Sequence, residues 1–121
     1  MAVAKVLCVD DALFMRTKAA RLLAGQGYEI YEAVNGADAV DKYFDVKPDV
    51  VLMDITMPVM GGIEAVKAIR EKDPEAKVIM VTAISQRSMV LEAIRAGARD
   101  FVIKPFEPDK LLEAVRKQCQ G

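Results

Sequence analysis

The sequence predicts an α/β fold: a doubly wound parallel sheet of five strands with helices on both faces. Three observations lead there. Short, β-branched apolar runs alternate with helix-period segments five times along 121 residues. Three of those runs, VLCV, VVLM and VIMV, carry no polar interruption, as strands buried on both faces should. Strict β-α alternation then demands parallel strands joined by right-handed crossovers.

The first run, Lys5–Val9 (KVLCV), is a strand that stops at two adjacent carboxylates, Asp10 and Asp11. Met15, Ala19, Leu22 and Leu23 follow at i, i+4, i+7 and i+8, one face of a helix, and Gly25-Gln-Gly27 ends it. Glu29–Val34 (EIYEAV) alternates polar with apolar residues, which places it at a sheet edge, and Asn35-Gly36 predicts a turn. Asp49–Met53 (DVVLM) and Lys77–Thr82 (KVIMVT) are the interior strands. Met89, Val90, Ala93 and Ile94 form a second helical stripe, read as core, with Gly97 as its stop. Asp100–Ile103 (DFVI) is the fifth strand, and Leu111, Leu112, Val115 and Cys119 mark a last helix. Five strands and five helices in this order suit the flavodoxin-like arrangement 2-1-3-4-5. With no repeats or linkers, residues 1–121 are expected to form one domain with no output domain attached.

Composition narrows the function classes. A chain that is 53% hydrophobic and 29% charged can bury a core. Lys5 and Asp10 interrupt any N-terminal apolar stretch, and no apolar run approaches a membrane span. Cys8 and Cys119 are isolated, so neither a CxxC pair nor a disulfide framework is expected and a cytoplasmic setting is. The first 60 residues carry 6 Lys/Arg against 9 Asp/Glu, and the rest 11 against 9. Neither half offers the concentrated basic patch that nucleic acid requires. There is no histidine, which excludes an imidazole base or a His-ligated zinc or copper within this chain.

Ligands of doubly wound sheets bind beyond the carboxyl ends of the strands. The residues there are Asp10-Asp11, Asp54, Thr82-Ala83 and Lys104-Pro105, while the proposed edge strand contributes nothing ionisable. Two like charges at about 4 Å cost roughly 4 kcal/mol at an effective dielectric near 20. One Asp suffices to cap a helix; two facing a third across the sheet need a cation. Oxygen-only donors select a hard ion, and Mg²⁺ takes one or two carboxylates with a phosphate oxygen. A carboxylate beside such an ion can attack phosphorus, with Lys104, the Thr82 hydroxyl and the Ala83 backbone N–H neutralising the phosphoryl oxygens. A phosphohistidine donor would have to belong to another molecule. Plainer readings stand beside these. Thr82 is a good strand residue in any case, Phe101 is core filling by default, Met57 and Met60 pack the loop, and Cys8 is a small buried hydrophobe.

Asp10-Asp11, MDITMP (53–58) with Gly61-Gly62, VTA (81–83) and DFVIKPF (100–106) together resemble a response-regulator receiver domain, in order and spacing over essentially the whole chain. With DDALFMR and AGARDFVIKPF, the resemblance is greatest to its stand-alone chemotaxis members. It implies that Asp54 is the phosphoacceptor and that Asp10, Asp11, Asp54 and the Thr56 backbone carbonyl hold Mg²⁺. It further implies that Lys104 contacts the phosphoryl group, that Thr82 swings towards it and that Phe101 rotates into the space left behind. The Lys104–Pro105 peptide is often cis in such domains. Thr56 and Ile84 would flank the phosphoryl group and tune its lifetime, and Ile84 departs from the polar residues some chemotaxis members carry. The implied partners are a histidine kinase and a flagellar or archaellar motor switch protein, the latter bound by the fourth helix, fifth strand and fifth helix of a monomer. The domain would be a signalling module rather than an enzyme. Four other readings compete: a receiver in another phosphorelay, a receiver excised from a longer DNA-binding regulator, an aspartyl-phosphate phosphatase, and a flavodoxin-like cofactor carrier. The last needs a phosphate-cradling loop where this chain has DDALF.

Overall fold

A computed structural model describes residues 3–120. Its five strands are β1 (Lys5–Val9), β2 (Glu29–Ala33), β3 (Val50–Asp54), β4 (Val78–Ala83) and β5 (Asp100–Lys104). They pair in parallel in the order β2-β1-β3-β4-β5, the predicted 2-1-3-4-5 winding. The helices between them are α1 (Leu13–Ala24), α2 (Gly36–Val46), α3 (Gly62–Lys72), α4 (Val90–Ala96) and α5 (Pro108–Gln120). A 3₁₀ turn, Ile84–Met89, leads into α4.

Alternation along the strands divides the core into two layers. Leu7, Val9, Val51, Met53, Val78 and Met80 point to one face, where Ala39 and Tyr43 of α2, Ile63, Val66 and Ile69 of α3, and Ala93 of α4 cover them. Val6, Cys8, Val50, Leu52, Ile79 and Val81 point to the other, under Ala19 and Leu23 of α1 and Leu111, Ala114 and Val115 of α5. Every residue of β3 is buried. Strand β2 lies at the edge, with Glu29 and Glu32 exposed on its two faces and only Ala33 buried.

Three local expectations change. Asn35-Gly36 does not turn the chain. Asn35 is the N-cap of α2, its side chain accepting the Asp38 N–H at 2.8 Å, as Asn does when it satisfies a free first-turn donor. The stripe Met89, Val90, Ala93 and Ile94 is not all core: only Ala93 is buried, and Ile94 is 40% exposed. Met89 belongs to the preceding 3₁₀ turn rather than to α4, and that seven-residue helix buries Ala93 alone. The interior strands β3 and β4 each begin and end one residue later than the apolar runs suggest, so Asp54 and Ala83 belong to strands.

Candidate functional site

The register β1–β3–β4–β5 sets the site. Val9 pairs with Met53, Asp54 with Val81, and Ala83 with Lys104, so the ends of four neighbouring strands open on one mouth. Asp10, Asp11 and Asp54 each present a carboxylate oxygen there, all within 4.8 Å of one another. Asp10 and Asp54 are buried and Asp11 is exposed. Lys104 reaches over from β5, its Nζ 2.6 Å from Asp10 Oδ2 and 3.4 Å from Asp54 Oδ1.

Both oxygens of Asp10 are engaged. Oδ1 accepts the Ala12 N–H at 2.9 Å, and Oδ2 takes the Lys104 ammonium. Asp10 therefore does serve the backbone at the start of α1, while ion pairing and clustering occupy it as well. Asp54 stands differently. Burial, and secondarily repulsion from Asp10, outweigh the attraction of Lys104 and the Ile55 N–H, and its carboxyl is raised to about 6. One ammonium does not offset three carboxylates, so the mouth is electrostatically incomplete.

Glycines bring the loop after β3 this close. A Cβ on Gly62 would lie 2.0 Å from the Asp54 carbonyl oxygen, and one on Gly36 would lie 2.4 Å from that of Met60. The Gly62 N–H donates to Ile55 O at 2.7 Å, and the Gly36 N–H to Met60 O at 2.8 Å. The turn is thus pinned between β3 and the start of α2. Val59 at its tip has φ +70°, a left-handed conformation a β-branched residue adopts only under constraint. Met57 is buried and Met60 packs against the core, as expected of both.

Thr82 is fully buried, and its hydroxyl donates to the Ala83 carbonyl at 3.2 Å. Phe101 is 42% exposed on β5, so it does not fill the core. Thr56 and Ile84 are both exposed, two residues past Asp54 and Thr82. The Lys104–Pro105 peptide is cis. Cys8 is buried away from the site, its thiol pushed up to about 12 by burial and then by Glu32.

Two residues near the mouth escaped the reading of strand ends. Arg16, on the first turns of α1, donates to the Asp10 carbonyl at 2.7 Å and pairs with Glu32 at 3.0 Å, tying the ends of β1 and β2 together. A cation six residues past Asp10 was the available signal. Gln86 donates through Nε2 to the Thr56 hydroxyl and accepts the Ala83 N–H at 3.4 Å. A Gln three residues past the end of β4 was the available signal for the Ala83 bond, whereas nothing local marks the bond to Thr56, 30 residues away.

Residues 6–116 match the family model described as the response regulator receiver domain. The chain belongs to this family. Among similar receivers, the chemotaxis protein CheY of Thermotoga maritima is 53% identical over 114 residues, covering 93% of this chain and 95% of that protein. The CheY of Listeria monocytogenes is 53% identical over 117 residues, 96% of this chain and 98% of that one. The crystal structure of the response regulator domain of Thermotoga maritima CheB superposes with a TM-score of 0.90 at 37% identity, covering 99% and 98% of the two chains. The chain is a CheY-like receiver, a signalling domain rather than a conventional enzyme. Among the described residues, no helix is long and apolar enough to cross a membrane.

Proposed function

We propose that this receiver takes a phosphoryl group on Asp54 from a partner's phosphohistidine and changes its binding to a downstream protein as a result. One observation carries the reading. Three carboxylates share a mouth with a single ammonium, and Asp54 is the one held with a raised pKa. A carboxylate oxygen of Asp54 attacks phosphorus, the P–N bond to the partner's imidazole breaks with its electron pair going to nitrogen, and that nitrogen takes a proton from water. Lys104, already 3.4 Å from Asp54 Oδ1, meets the incoming phosphoryl oxygens, with the Ala83 N–H as a second donor.

The donor set fits Mg²⁺: carboxylates only, two of them buried, with no nitrogen or sulfur ligand in the cluster. Asp10, Asp11, Asp54 and the Thr56 carbonyl would hold it, and it would supply the positive charge that the mouth lacks. Thr82 would turn from the Ala83 carbonyl towards the phosphoryl group, and Phe101 would move inward from its exposed position.

The downstream face in this reading is α4, β5 and α5. Leu91, Ile94 and Phe101 are exposed along it, and a groove of about 470 Å³ runs between β5 and α5 past Ile103, Pro105 and Ala114. A motor switch protein of the chemotaxis machinery is the proposed target, in the cytoplasm, with the receiver acting as a monomer and a chemotaxis histidine kinase upstream. Support comes from relatives named chemotaxis proteins at 53% identity.

Intact mass after incubation with acetyl phosphate and Mg²⁺ tests the acceptor. One added phosphoryl group, lost in Asp54→Ala and without metal, is expected. An unchanged wild-type mass would refute the chemistry.

A further inference from the structure

Gln86 lies in the 3₁₀ turn that links β4 to α4, outside every strand-end position. Its half-buried carboxamide nevertheless reaches back across the mouth. The Ala83 N–H donates to its Oε1 at 3.4 Å, and its Nε2 donates to the Thr56 hydroxyl. The amide can face only this way, because an N–H needs the oxygen as its partner. It therefore bridges the loop after β3 to the end of β4, and it occupies the backbone donor that phosphoryl chemistry on Asp54 would use.

We propose that Gln86 is a displaceable latch: its carboxamide holds the Ala83 N–H in the unphosphorylated receiver and must leave when a phosphoryl group arrives. This rests on Asp54 being the acceptor. At 3.4 Å the Ala83 bond is long for N–H···O and easily given up. A phosphoryl oxygen is a charged acceptor, and such bonds are shorter and roughly twice as strong as those between neutral groups. The exchange therefore runs towards the phosphoryl group. Releasing Ala83 also frees the link to Thr56, and Gln86 lies in the same turn that runs directly into α4. Displacement at the mouth thus reaches the helix at the proposed output face through one short segment. Gln86 acts as a positioning residue: it makes no bond to Asp54 and sets whether the donor beside it is free.

Beryllofluoride with saturating Mg²⁺, titrated into wild type, Gln86→Ala and Gln86→Glu, tests the latch. Gln86→Ala removes the competing acceptor and should bind beryllofluoride more tightly, by at most about fivefold, the ceiling that one ordinary hydrogen bond would set. Gln86→Glu keeps an acceptor for Ala83 and adds a negative charge, so it should bind more weakly than wild type. When beryllofluoride binds wild type, the Gln86 side-chain amide resonances should shift as its bonds to Ala83 and Thr56 break, which a purely structural role for the side chain would not require. Affinity that is unchanged or reduced in Gln86→Ala, beside a wild type that binds, would overturn the latch and leave the acceptor reading intact. A wild type that fails to bind beryllofluoride would overturn the acceptor reading and the latch with it.

Discussion

Replacing Asp54 by Asn should make the metal-free protein more stable, although it removes the residue proposed to do the chemistry. Burial above all, with repulsion from Asp10, raises the Asp54 carboxyl from 3.8 to about 6 in the folded protein. Two pKa units correspond to roughly 3 kcal/mol of ionisation penalty, present whenever the group is charged in both states. That shift is already net of the attraction to Lys104; discounted for solvent screening at the open mouth, a gain of about 2 kcal/mol is expected, on the order of 8 °C in Tm for a domain of this size. The sign depends on pH. Below about pH 4 the carboxyl is protonated folded and unfolded alike, and the two proteins should melt close together. As pH rises from about 4 to 6 the unfolded chain ionises first, and wild type loses this stability while the Asn variant keeps it. Thermal melts by circular dichroism from pH 4 to 8 in chelator would measure the difference. A variant that melts at or below wild type at pH 8, or a gap that does not change with pH, would refute the reasoning. Millimolar Mg²⁺ should then raise the wild-type Tm more than that of the variant.

Other expectations follow from the loops around the mouth. Gly62→Ala places a methyl group 2.0 Å from the Asp54 carbonyl oxygen, so it should cost about 3 kcal/mol in urea unfolding and slow phosphoryl uptake, the latter followed by intact mass. Val59→Gly relieves a left-handed φ at an exposed tip and should stabilise by about 1 kcal/mol with an unchanged m-value. Ile84, 64% exposed two residues past Thr82, is expected to hinder the attacking water. Ile84→Glu should shorten the phosphoryl lifetime several-fold by radiolabel decay, and an unaltered rate would show that the side chain does not shield the site.

The strands and their approximate limits were legible because buried parallel strands write unbroken apolar runs, and the two glutamates that interrupt β2 marked it as an edge strand. The acidic mouth was legible for a related reason. Once the strand order is known, the residue after each strand has only one place to go, which is why Asp10, Asp54, Ala83 and Lys104 could be grouped before any coordinates. The start of α2 was missed because Asn-Gly signals a turn and Asn also caps helices; only the Asp38 N–H bond decides between them. The core stripe of α4 was overread because apolar spacing marks a helix face without saying how much of it a neighbour covers, and this seven-residue helix buries only Ala93.

By itself, the sequence determined the fold class, the layering of the core and the convergence of charge at one end of the sheet. All three follow from local patterns repeated along the chain. The tertiary structure decided how that charge is divided: Asp10 satisfied at both oxygens, Asp54 buried with a raised pKa, Asp11 left to solvent. It alone placed Gln86 against Thr56 and Gly62 against Asp54. Those contacts join residues from different loops, and their distances are set by backbones packed to within an atom's width, which no single stretch of sequence encodes.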